Sequence, residues 1–120
     1  MARDFKNIKA WQLADKLTIN VYTLTKNFPK EELYGVTSQL RRAVVSVPTN
    51  IAEGATRNSN KEYLHFLYIA KGSLAEAEYL LHLSCNLGYL QEDNYHNLDN
   101  MRIECAKTLY GLISSVANDS

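Results

Sequence analysis

Residues 59–81 read SNKEYLHFLYIAKGSLAEAEYLL, and their spacing decides the fold. Tyr63, Leu67, Ala70, Leu74, Ala77 and Leu81 step by 4, 3, 4, 3 and 4 residues. That alternation keeps one stripe of a helix apolar, because an α-helix turns every 3.6 residues. Ser59 followed by Glu62 is a capping box, whose two side chains reach N–H groups that a first helical turn leaves free. Gly88 suits the far end, since glycine readily takes the left-handed conformation that closes a helix. The pattern predicts a helix over about 60–87.

Working outward, the same rhythm returns three times. Ala10, Ala14, Leu17, Val21, Leu24 and Phe28 predict a first helix over about 8–27, stopped at Phe28-Pro29. Leu40, Val44, Val47 and Ile51 predict a second over about 36–56, flanked by an apolar stripe of Val45, Pro48 and Ala52. Pro48 has no N–H, so the carbonyl of Val44 loses its helical partner and a kink is expected there. Leu98, Met101, Cys105, Leu109, Leu112 and Val116 predict a fourth helix over about 92–116, with residues 118–120 fraying. The links are short, so successive helices should run antiparallel. The expectation is one all-α domain over residues 1–120, an up-down-up-down four-helix bundle.

Composition fits that reading. Hydrophobic residues at 46% and charged residues at 22% can support a core without disulfide or metal. Cys85 and Cys105 are read as small core residues, too far apart along an antiparallel hairpin to bridge. No secretory leader and no stretch long enough to span a bilayer are apparent, so a cytoplasmic protein with no membrane partner is expected. Net charge is zero but unevenly spread. Residues 1–75 hold 11 Lys and Arg against six Asp and Glu, and residues 76–120 hold two against seven. A basic half can meet nucleic acid or the acidic half of another copy.

Several chemistries find no support. Glu62 and His65 have the Glu-x-x-His spacing of di-iron bundles, but the second such pair is missing. No G-x-S-x-G element and no glycine-rich phosphate loop occur. The expectation is a protein without catalytic residues, cofactor, metal or small-molecule substrate. Two binding surfaces stand out instead. Arg41, Arg42, Arg57, Lys61 and Lys71 are candidate phosphate contacts, with Tyr63, Phe66 and Tyr68 nearby for stacking. Tyr68, Gly72, Ala75, Tyr79 and His82 form a stripe off the core seam, and tyrosine, present eight times, favours interfaces. With Val45 and Ala52 they are candidate self-association residues.

The run QLRRAVVSVPTNIAEG at residues 39–54 resembles the signature of small bacterial four-helix proteins named after the 23S ribosomal RNA intervening sequence, also called S23 ribosomal proteins. Trp11, Phe28-Pro29, Arg57 with Ser59, IAKGSL at 69–74 and LGYL at 87–90 agree in order, so the resemblance covers nearly the whole chain. It implies a homo-oligomer, a ring-shaped pentamer, and no enzymatic activity. It also relates the chain to the accessory variability determinant of diversity-generating retroelements, which is basic and binds a reverse transcriptase and nucleic acid. The present chain is neutral, unlike that branch. The signature singles out Arg41, Arg42, Pro48, Asn50, Glu53, Gly54, Arg57, Gly72 and Ser73. Asn50 and Glu53 either satisfy backbone groups beside Pro48 or contact Arg41 or Arg57, and the arginines alternatively face phosphate. The combined expectation is a homo-oligomeric binding protein that engages RNA or an RNA–protein complex. A protein scaffold without nucleic-acid binding is the alternative.

Overall fold

Four helices follow one another through the chain: α1 Lys9–Thr25, α2 Val36–Ala55, α3 Asn60–Asn86 and α4 Glu92–Asn118. The structure is a computed structural model that describes residues 3–119. Single 3-10 turns at Phe5–Asn7 and Lys30–Glu32 precede α1 and α2. Each helix packs on its chain neighbours, and α1 closes the square against α4. The result is a rod of 46 × 24 × 20 Å.

Most heptad residues form the core as their spacing requires, except that Leu24 of α1 is half-buried and Thr25 is buried beside it. Ala10, Ala14, Leu17 and Val21 of α1 are buried, as are Leu40, Val44, Val47 and Ile51 of α2. The whole seam of α3 from Tyr63 to Leu81 is buried as well. The fourth helix departs from expectation. Ile113 is buried, while Met101, Leu112 and Val116 are only half-buried. Leu109 and Ile113 lie four apart, so the core stripe keeps the wider step here where the sequence offered Leu112 as well. Cys105 is buried, but Cys85 is half-exposed and is not a core residue.

Helix ends obey local chemistry. Ser59 caps α3 by accepting from the Glu62 N–H at 3.1 Å. At its far end Gly88, at φ 81°, lets the Tyr89 N–H reach the Ser84 carbonyl and its own N–H reach that of Cys85. This pairing satisfies carbonyls that the last turn leaves open. The first helix stops at Thr25 rather than 27, because the Asn27 and Phe28 N–H groups take shorter turn bonds to Leu24 and Thr25. The fourth helix runs two residues past Val116, and Ser120 lies outside the described residues.

Pro48 sits inside an unbroken α2. The missing donor is supplied from the neighbouring helix, since Thr18 Oγ1 lies 3.1 Å from the Val44 carbonyl. Beside Pro48, Thr49 donates to the Val45 carbonyl and Asn50 to that of Ser46, so Asn50 does meet a backbone group there, though not the Val44 carbonyl.

Both ends of the bundle are tied. At one, Phe28 packs on Tyr89, whose hydroxyl donates to Glu32 Oε2 at 2.7 Å. At the other, the Arg3 guanidinium lies 4.3 Å from the Tyr63 ring centroid. It donates to the Arg57 carbonyl at 2.8 Å and to Asn60 Oδ1 at 3.1 Å. Asn60 in turn donates to the Asp119 carbonyl.

Candidate functional site

The five basic candidates do not converge on one surface. Arg41 and Arg42 are successive on α2 and so point about 100° apart. Arg41 faces α1, where Nε donates to Thr25 Oγ1 at 2.9 Å and the guanidinium covers the Tyr22 ring. Arg57 pairs with Glu53 at 3.2 Å and covers the Phe66 ring. Both therefore make packing and pairing contacts within the chain, and Arg57 meets Glu53 as the structural alternative for the signature expects. Lys71 belongs to the α3–α4 face, with its ammonium 4.8 Å from the Tyr110 ring centroid. Of the five, only Arg42 and Lys61 are exposed with no side-chain partner. Arg42 lies 13 residues, about 20 Å, before the end of α2 at 1.5 Å per residue, and Lys61 lies beyond that end in the first turn of α3. Nor can Tyr63 stack on a base. It is buried, Arg3 covers its ring, and burial pushes its hydroxyl pKa up against the opposing pull of Arg3.

Three of the signature residues, Asn50, Gly54 and Ser73, make contacts within the chain. Ser73 Oγ donates to Ser46 Oγ at 2.8 Å, tying α3 to α2. Asn50 donates to the hydroxyl and carbonyl of the same Ser46. Gly54 lies tight against α3: a Cβ there would stand 2.8 Å from Phe66 Cβ. Gly72 is different, since nothing lies within 4 Å of its Cβ position.

The apolar candidates split into two faces. Tyr68, Ala75 and Tyr79 are exposed on the outer side of α3, with Tyr68 and Tyr79 at 54% and 59%. Val45 and the half-buried Ala52 lie on the α1 side of α2, by their angular offset from Val44. Ile19 and Tyr22 are exposed on α1, a surface that the sequence reading missed. The signal was present: residues 19 and 22 lie three apart, off the core seam.

Chemistry for catalysis is sparse. Among the described residues no three His, Cys, Asp or Glu side chains gather to hold a metal ion. His65 is exposed on the outside of α3. Burial pushes the Cys105 thiol up to about 11, so it stays protonated and unreactive near neutrality. No helix is long and apolar enough among the described residues to cross a membrane.

Comparison with known proteins follows from this fold. A protein of unknown function from the S23 ribosomal protein family of Bacteroides thetaiotaomicron superposes with a TM-score of 0.81 at 24% identity. The match covers 88% of this chain and 95% of that one. None of the curated proteins matches. Residues 6–111 match the family described as 23S rRNA-intervening sequence protein, a span that includes α1, α2 with its signature, α3 and most of α4. The chain therefore belongs to the 23S rRNA-intervening sequence protein family.

Proposed function

We propose that the chain is a homo-oligomeric binding protein rather than an enzyme. One observation carries this reading: a bundle that buries its heptad seams still exposes two separate groups of large apolar side chains. One is Ile19, Tyr22 and Val45, and the other is Tyr68, Tyr79 and Tyr110. Large apolar side chains grouped on a surface in this way favour association. Two unlike faces favour a heterologous contact, in which one face of a copy meets the other face of the next. Such contacts close into a ring when the rotation permits. The uneven charge of the chain supports the same pairing.

Light scattering after size exclusion tests it at micromolar concentration. The wild type should elute at a multiple of the chain mass. Val45→Glu and Tyr68→Glu should each shift it towards the single chain, with helical circular dichroism unchanged. A monomeric wild type would sink the proposal.

A second reading, contact with RNA, is supported by Arg42 and Lys61, which carry charge without a partner among the described residues. Each phosphate contact would make the affinity fall with salt, with a log–log slope of about −0.7 to −0.9. Arg42→Glu with Lys61→Glu should abolish binding to a labelled structured RNA while the fold holds. Binding that survives both changes rejects these two residues.

A further inference from the structure

One end of the rod carries apolar surface that belongs to neither lateral face. The Phe28 ring packs on Tyr89 and the Tyr89 hydroxyl donates to Glu32, so the α1–α2 and α3–α4 loops lie side by side there. Leu33 and Tyr34 are exposed on the first loop and Leu87 on the second. Tyr34 is 93% exposed, the most of any large apolar side chain among the described residues. Its turn is nonetheless pinned. The N–H groups of Glu32, Leu33 and Gly35 bond back to the carbonyls of Pro29, Lys30 and Glu32. The Glu32 carboxylate accepts from the Val36 N–H as well as from Tyr89. A held turn presents Tyr34, so covering it costs little ordering entropy.

The charges at this end separate by loop. Lys26 and Lys30 are exposed and make no ion pair among the described residues. Glu32 is turned inward on Tyr89, which leaves Glu31 as the exposed acid of the first loop. The second loop has the opposite sign. Glu92 and Asp93 are exposed and unpaired among the described residues, and no Lys or Arg occurs between Lys71 and Arg102. A two-fold axis across the end lays the first loop of each copy on the second loop of the other. Cations then meet carboxylates twice, around the apolar side chains. The end of a rod 24 × 20 Å across offers about 480 Å² per copy, against roughly 800 Å² per partner in a stable interface. One such contact is weak, and a foreign partner would gain only one. Copies already held side by side repeat it, and the repeats reinforce one another.

We infer that the Tyr34 end pairs with the same end of a second copy about a two-fold axis, with Leu33 and Tyr34 against Leu87 and Lys30 against Glu92 or Asp93. Two side-by-side assemblies thereby stack end to end. The stacking goes beyond the lateral contact proposed above and rests on it for strength.

Light scattering of the full chain reads the stack as mass. The wild type should hold an even number of chains, and Tyr34→Glu should halve its mass with helical circular dichroism unchanged. Lys26→Glu with Lys30→Glu should also halve it, and adding Glu92→Lys with Asp93→Lys should restore it. A zero-length carbodiimide, applied to an equal mixture of unlabelled and heavy-isotope-labelled chain, should join Lys30 of one copy to Glu92 or Asp93 of another. An odd number of chains above one, a mass that Tyr34→Glu leaves unchanged, or cross-links confined within one chain overturns the inference. A wild type of a single chain sinks the lateral contact instead, and the cross-link between copies at high concentration, formed or absent, then decides the end contact.

Discussion

The carbonyl of Val44 is a residue-sized problem with a solution from another helix. Pro48 leaves it without an N–H, and a buried unmatched carbonyl costs about 1–3 kcal/mol. Thr18 Oγ1 stands within 3.1 Å of it and within 2.8 Å of its own Ala14 carbonyl. A hydroxyl has one proton, and the backbone N–H of Thr18 is placed to serve Ala14, so Val44 has the greater need. Thr18→Val should cost about 1–3 kcal/mol in urea unfolding. Pro48→Ala restores the missing donor, so the same change should cost under about 0.5 kcal/mol in that background. Equal costs in both backgrounds would show that Thr18 does not answer Pro48.

Between elements, two glycines carry opposite expectations. Gly54 lets the end of α2 meet the start of α3, and an added methyl would crowd Phe66 Cβ at 2.8 Å and Tyr63 Cδ1 at 3.0 Å. Gly54→Ala should therefore destabilise by about 1–3 kcal/mol through overpacking. Gly72 sits in mid-helix beside open space. Gly72→Ala should stabilise the isolated subunit by about 0.5–1 kcal/mol, since it removes backbone entropy from the unfolded chain. On the outer stripe between Tyr68 and Tyr79 the same methyl should weaken assembly. Thermal unfolding and sedimentation of the two variants separate these effects. A Gly72→Ala protein that assembles as tightly as wild type would remove α3's outer face from the interface.

For the molecule as a whole, alkaline pH is the weak direction. Folding raises the pKa of Cys105 by burial, from 9.0 to about 11. It also raises Tyr63 and Tyr95 by burial and Tyr89 chiefly through its bond to Glu32. A raised acid is more easily ionised in the unfolded chain, so the unfolded state loses protons first. The stability from Cys105 is whole below pH 9 and falls as pH rises towards 11, by up to about 3 kcal/mol. Denaturation midpoints should drop across that window, and Cys105→Ala should flatten part of the slope. Below pH 9 the half-exposed Cys85 should take up iodoacetamide well before Cys105. An unchanged slope in the alanine variant would place the loss in the tyrosines.

The number of helices, the burial of all six seam residues of α3 and the cap at Ser59 were legible in the sequence, because heptad spacing and capping act over a few residues. The family was legible for a related reason: a run of residues that meets local demands at Pro48 and Gly54 keeps its order along the chain. Tertiary structure alone decided which arginines are free. Arg41 and Arg42 look alike in a string, but their directions about the helix send one to Thr25 and Tyr22 and the other to solvent. It also decided that Thr18 serves Val44 across 26 residues, that Arg3 locks three chain segments, and that Lys71 shares a trough with Lys107. Those meetings depend on how helices rotate and register against one another, which the packing of every side chain sets together and no short stretch encodes.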